Sequence, residues 1–325
     1  MFADFANIWT PVCLSRDLRP GKPLARRIAG ERVVFFRDAA GKACALIDRC
    51  PHRGVTLSLG RVVKGELECP FHGWRFDGEG RNCGVPWNPD AKREHLGACA
   101  LPVREIAGLL WLHTGFAPQA GPLVSETLLA PDIALCAQSV VWNAHWTRVM
   151  ENMLDMPHLP FVHRRTIGKG LSRLVEGGRR MDIDLEERPY GAHMTNRIDG
   201  VARPGALDYR FPNIMELSID PPGRLLRLMV ACIPEDEGAT RLLLLTIRNF
   251  ARSTLLDPVF RLMNGRIAGE DRRIVESSSP GEVPPPGEEK SVRTDAPTLA
   301  FRRIYRETLR GSSARRPDGV DRLPA

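Results

Sequence analysis

The chain lacks any apolar run of the ~18 residues a membrane-crossing helix needs. Its longest such block, Leu242 to Ile247, is the length of a strand. It also lacks the basic start and long apolar core of a secretion signal: it opens Met1-Phe-Ala-Asp4-Phe-Ala-Asn. These two absences lead us to expect a cytoplasmic protein with no membrane segment. Basic clusters are missing as well. The formal net charge is +7, from 46 Lys+Arg against 39 Asp+Glu, but the cations are spread out. Residues 1–120 hold 17 basic and 12 acidic side chains, so +5 of the excess lies there without any nucleic-acid motif. No nucleic-acid partner is expected, and the basic first part suits an acidic protein partner better. There is no G-x-G-x-x-G after a strand and no plant-type ferredoxin cysteine spacing, hence no sign of a built-in reductase.

What is present is enough chain, 325 residues with 43% hydrophobic and 26% charged side chains, for two domains with a sizeable core. Eight cysteines (13, 44, 50, 69, 83, 99, 136 and 232) without a secretion signal do not suggest a disulfide framework. Six of them read as buried free thiols, Cys83 included.

Residues 1–117 read as β-rich. Arg32–Arg37 and Ala43–Ile47 flank the turn signal Asp38-Ala-Ala-Gly41, and Gly108–His113 supplies another strand. Residues 118–135, with Ala117-Pro-Gln-Ala-Gly-Pro122 at their start, read as a linker. A second domain over 136–310 mixes strands (Arg224–Ile233 and Thr240–Phe250) with helices at 146–156, 258–276 and 298–309. Ser277–Glu289 reads as a loop, and 311–325 as a flexible tail.

Cys50-Pro-His52 and Cys69-Pro-Phe-His72 are two Cys/His pairs in glycine-bearing loops, separated by sixteen residues. Two thiolates and two imidazoles suit a tetrahedral zinc, or a [2Fe–2S] cluster with cysteines on one iron and histidines on the other. Zinc fingers pair like with like, C-x2–4-C and H-x3–5-H, so two mixed pairs favour the cluster.

A second set follows at Asn152, Asp155, His158 and His163. Histidines five apart would point ~140° apart on a regular helix, but Pro157 and Pro160 break it and let the rings converge. Two histidines need one carboxylate to make the triad that binds non-haem Fe(II) with one face open. Asp271 is the expected third ligand, because it continues the apolar stripe Met263, Ile267 and Ile274, where an acid is costly unless paired or metal-bound. Glu270 competes for the role, and Arg272 or Arg273 could instead neutralise Asp271.

With both sets in view, the chain resembles the α subunit of a Rieske non-haem iron oxygenase from about residue 5 to residue 310. The carriers are the two Cys/His boxes, the N-x2-D-x2-H-x4-H segment, Glu-Asp271-Arg-Arg-Ile-Val-Glu276, and Arg293–Arg302. Respiratory Rieske proteins add a cysteine to each box; here Val55 follows Gly54 and Phe71 precedes His72, so the resemblance is to the oxygenase type. The resemblance implies an α+β protein, an all-β Rieske domain followed by a helix-grip domain with a sheet around a long helix. It implies one [2Fe–2S] cluster on Cys50, His52, Cys69 and His72, and one Fe(II) on His158, His163 and Asp271. It further implies O2 as co-substrate, a separate reductase or ferredoxin carrying electrons from NAD(P)H, a small organic substrate, and a homotrimer. Asn152 and Asp155 enter as catalytic positions. By the same resemblance, Asp155 would link His158 to His72 of a neighbouring subunit. The expected reaction is monooxygenation, as hydroxylation or demethylation. Ring cis-dihydroxylation, an electron carrier without catalysis, and a zinc-stabilised binding module are the alternatives.

Overall fold

The computed structural model describes residues 1–285 and 287–310. The expected tail, 311–325, lies outside them.

The first part is all-β, as expected. Trp9–Leu14, Leu109–His113 and Val103–Ile106 form one antiparallel sheet; Leu24–Ile28, Glu31–Arg37, Ala43–Ile47 and Ala100–Leu101 form a second. Four short strands, Arg61–Val63, Glu66–Glu68, Arg75–Phe76 and Asn82–Gly84, make a third. The hairpin predicted around Asp38 is present. The Asp38 carboxylate accepts the backbone N–H of Ala40 and of Lys42, both at 2.9 Å, which closes the turn.

This hairpin carries apolar residues on both faces. Val33, Phe35, Ala45 and Ile47 enter the main core of the molecule. Their neighbours Val34, Phe36, Cys44 and Leu46 enter a smaller core with Leu57, Leu67, Phe76, Cys50 and Cys69. Strand side chains alternate between faces, so one ribbon roofs one core and floors the other. Fully burying each such side chain is worth about 1.5–3 kcal/mol.

The second part is built on an eight-stranded antiparallel sheet. Its strands run in the order Ala134–Trp142, Ala239–Arg248, Leu226–Asp236, Ile214–Ser218, Ala206–Arg210, Gly191–Ile198 and Met181–Arg188, with Val201–Ala202 added to Gly191–Ile198. Helices α1 (Glu126–Leu129), α2 (Trp146–Leu154), α3 (Leu159–Val162), α4 (Lys169–Glu176), α5 (Asp257–Val275) and α6 (Ala296–Tyr305) accompany it. The 19-residue α5 packs on strand Ala134–Trp142, while α2 lies across the middle strands. Trp146 of α2 meets Phe301 and Tyr305 of α6 edge-on, with centroids 5.9 and 5.3 Å apart.

Two sequence expectations need correction. The buried stripe of α5 is not Met263–Ile267–Ile274: Met263 and Ile274 are 56% and 55% exposed. The inward face is Asn264, Ala268, Asp271 and Val275, with Ile267 at its edge. A 3.6-residue period fits that set equally well, and apolar character alone chose the wrong phase. Asp271 is nevertheless buried. Cys83 and Cys99, read as buried, are half-exposed.

Candidate metal centres

The two cysteine boxes fold as near copies. In the first, the Cys50 N–H bonds Val55 O at 2.8 Å and the Gly54 N–H bonds Cys50 O at 2.9 Å. In the second, the Cys69 N–H bonds Trp74 O at 2.8 Å and the Gly73 N–H bonds Cys69 O at 3.0 Å. Closing each loop needs a left-handed residue four after the cysteine, and Gly54 (φ 69°) and Gly73 (φ 71°) occupy it without a Cβ penalty. Both cysteines are buried, whereas His52 is exposed and His72 half-buried. The two imidazoles lie 4.7 Å apart, and Trp74 stacks on His52 at 4.5 Å and 5°.

Burial pushes the Cys50 thiol up to about 11 despite the backbone N–H groups of His52 and Arg53 on its sulfur, and the Cys69 thiol beside it adds to the rise. A bound cation beside the buried Cys50 sulfur would draw off its proton and leave the thiolate a metal requires. Desolvation, and then the nearby charge of His72, lowers His52, which favours the neutral imidazole a metal requires. A single tetrahedral ion would draw its ligand atoms to within ~4 Å of one another. Among the described residues, only His158, His163 and Asp271 bring three ligating atoms within 4.8 Å of each other. Two buried cysteines beside two more exposed imidazoles, one of each from either loop, suit a two-iron cluster with thiolates on one iron and imidazoles on the other.

At the second centre α2 ends at Leu154, and the chain turns through Asp155–Pro157 before α3 starts with Pro160 in its first turn. His158 precedes α3 and His163 follows it, so the break predicted from the prolines brings the rings to 5.2 Å. Asp271 reaches them from α5. Its Oδ1 lies 3.0 Å from Nε2 of His163 and 3.5 Å from Nε2 of His158. That oxygen is buried, faces both imidazole nitrogens and makes no well-aligned hydrogen bond, an arrangement that a cation would complete. Arg272 bonds Glu276 instead, so it does not neutralise Asp271.

The outer ring nitrogens face acids. Nδ1 of His163 is 2.8 Å from Glu270 Oε2, which also accepts Thr166 Oγ1 at 2.7 Å. Burial works against the charge of Glu270, but these two hydrogen bonds hold its carboxyl below the usual range. Burial likewise opposes protonation of His163, yet Asp271 and Glu270 together raise it. Nδ1 of His158 is 3.6 Å from Asp155 Oδ2, too long for a hydrogen bond, and is itself buried without a partner. Sequence reasoning treated Glu270 only as a rival ligand and missed its place behind His163. The adjacency to Asp271 was the available signal.

These groups roof a cavity of about 90 Å³ that opens to solvent on one side. Its floor is the inner face of the sheet. Leu207 pairs Leu217, which pairs Leu228; Met215 pairs Val230, which pairs Leu244. Cross-strand partners share a face, so three strand pairings make one continuous apolar floor. Asn152 and Asp155 line the cavity together with the metal-site residues. The arginines of 173–227 do not line it. Those at 179, 180, 188, 197, 210 and 227 pair with acids elsewhere.

Behind the site runs a charge network that the sequence did not reveal. Arg148 bonds Glu151 at 3.0 Å and Glu289 at 2.7 Å, and Arg302 bonds the same two acids. It ties α2 and α6 to the loop before Ser291.

Residues 8–99 match the family model of the Rieske [2Fe-2S] domain. Residues 142–311 match that of the vanillate O-demethylase oxygenase C-terminal domain. Chlorophyllide a oxygenase of Chlamydomonas reinhardtii is 29% identical over 299 residues, 83% of this chain and 43% of its own. The chain therefore spans less than half of that relative's length. Methylxanthine N3-demethylase NdmB of Pseudomonas putida is 27% identical over 320 residues, 93% of this chain and 88% of its own. The solved structure of NdmA from Pseudomonas putida with caffeine shares the fold, with a TM-score of 0.80 at 23% identity over 95% of this chain and 92% of that one.

Proposed function

Because the chain belongs to the Rieske non-haem iron oxygenases, we propose that it is the terminal oxygenase of such a system, adding oxygen from O2 to a small organic substrate by hydroxylation or by O- or N-demethylation. The observation that carries this reading is the buried Oδ1 of Asp271, set 3.0 and 3.5 Å from two imidazole Nε2 atoms above an apolar cavity. In a mere electron carrier that arrangement would have no use.

Cys50, His52, Cys69 and His72 would hold the [2Fe–2S] cluster, and His158, His163 and Asp271 the mononuclear iron. When bound, the iron supplies open positions for O2, and the cluster supplies electrons one at a time. Glu270 keeps the proton of His163 on Nδ1, so Nε2 presents its lone pair to the centre. Asp155 stands in the corresponding place beside His158. The Leu and Met floor excludes water and holds substrate below the ligands. Asn152 and Asp155 separate this cavity from an outer cleft that they also line. That position suits the link from Asp155 to a neighbouring subunit's cluster.

The reading assigns 1–117 to the cluster domain, 118–135 to a linker that includes α1, and 136–310 to the catalytic domain. It includes a homotrimer and a separate reductase or ferredoxin fed by NAD(P)H. No described helix is long and apolar enough to cross a membrane, and a cytoplasmic location is part of the proposal.

Iron analysis with oxygen uptake tests the whole. Three irons per chain, a reducible red-brown spectrum and substrate-stimulated uptake are expected. Two irons per chain would leave an electron carrier, and colourless zinc protein would end the reading.

A further inference from the structure

Resting on the reading of the cavity as the substrate site, we infer that this enzyme selects uncharged, largely apolar substrates and rejects carboxylates. The seven floor and wall side chains contributed by the sheet are all Leu, Met or Val. Ile267, Ala268 and Met153 continue that character onto the helices. Among the described residues, no Lys, Arg or Tyr lines the space.

Among the described residues, the acids on the lining are Asp155 and Asp271. Both lie at the metal end. A carboxylate entering here would find no cation or hydroxyl along the floor, and like charge at the roof. Its sole cationic partner would be the metal itself, so carboxylate binding there would block the reacting position rather than present a C–H bond to it. An ammonium group finds one acid outside the ligand set, Asp155 beside His158 at the metal end, and no acceptor along the aliphatic floor. Ions lose their hydration on entering such a space and are tolerated only when paired. The amides of Asn152 and Asn264 are the uncharged polar side chains on the lining, so a neutral hydrogen-bonding group can be accommodated. The arginines that might have served an acid are engaged on the face of the sheet opposite the cavity, Arg210 and Arg227 with Glu216 and Asp220 among them.

The test uses matched probes on the oxidised holoenzyme: 2-naphthamide, 2-naphthoate and 2-naphthylmethylamine, with the biphenyl and single-ring equivalents, measured by calorimetry near neutral pH. In at least one ring size the amide should bind on the order of 100-fold more tightly than its acid and its amine, the scale of an uncompensated buried charge. If no amide outbinds its acid in any ring size, the inference is wrong. A second arm places a cation on the wall with Ile267→Lys, at a half-buried position from which the long side chain can reach the floor. The ratio of acid to amide affinity should rise at least about tenfold, since the carboxylate gains a charge-assisted partner. An unchanged ratio would overturn the inference. Iron content and the visible spectrum of the same samples report separately on the oxygenase reading. Iron-free protein that still prefers amides would remove the enzyme and keep the cavity's selectivity, whereas fully loaded protein that prefers acids would do the reverse.

Discussion

Glu270 and His163 are joined at 2.8 Å through the imidazole Nδ1, and the next residue, Asp271, meets the opposite nitrogen of the same ring at 3.0 Å. Consecutive residues of α5 thus grip one imidazole from its two ends. The helix turns ~100° per residue, so the two carboxylates leave it in different directions and pass either side of the ring.

That grip separates two roles by substitution. Glu270→Gln should lower iron affinity at the second centre about 10–100-fold while the centre still fills at high iron. Asp271→Ala should abolish the third iron and product formation at any iron concentration. Iron titration of the two proteins, with the cluster spectrum as an internal control, decides between them. If Asp271→Ala filled and turned over normally, the ligand would have to be sought at Glu270.

Cys69 sits in the small core beneath the two boxes as well as facing Cys50. Cys69→Ala should remove the visible spectrum and lower the melting temperature of the first part of the chain. A normal spectrum in that variant would reject the cluster assignment.

Asp155→Asn keeps the shape of the side chain and removes its charge beside His158. Both metal sites should stay largely occupied, while oxidation of the reduced cluster slows sharply. Single-turnover mixing with oxygen and substrate measures that step, and a wild-type rate would return Asp155 to a purely local role at the end of α2.

Glu289 gives the pH prediction. Hydrogen bonds from Arg148, and then Arg302, hold its carboxyl down to about 2 against some burial. Its pKa in the folded chain is therefore below that of the unfolded chain, where an unperturbed Glu titrates near ~4.3. The stabilisation is present above that unfolded value and is lost as the pH falls toward 2. Thermal midpoints of the native protein should drop more steeply between about pH 5 and pH 2 than those of Glu289→Gln. Parallel curves would show that the network contributes nothing through this carboxylate.

The two cysteine loops, the chain break before His158, the two-part order and the main hairpin were legible in the sequence because each is local. Cys50 to Gly54 and Cys69 to Gly73 close over five residues, and the Pro157–Pro160 break is written in the chain. Asp271 was legible as a residue but not by the route taken, since exposed Met263 and Ile274 share its apparent stripe. The partner of His163 was not legible. Glu270 lies 107 residues away, and only the tertiary placement of α5 beside the residue that follows α3 makes them neighbours. The Arg148–Glu289 pair, 141 residues apart, was hidden for the same reason. The cavity floor was hidden too, because cross-strand register over 206–244 is a tertiary property that single-strand alternation does not supply.

The hairpin of Glu31–Arg37 and Ala43–Ile47 makes the molecule's two ends mechanically inseparable. Phe35 and Phe36 are adjacent in sequence, yet one enters the interior shared with the eight-stranded sheet and the other lies under the loops of Cys50 and Cys69. Shaving Phe35 slackens the former and shaving Phe36 the latter, and either strain is transmitted across a single peptide unit. One two-stranded ribbon thus serves both interiors, and a change on either of its faces is felt on the other.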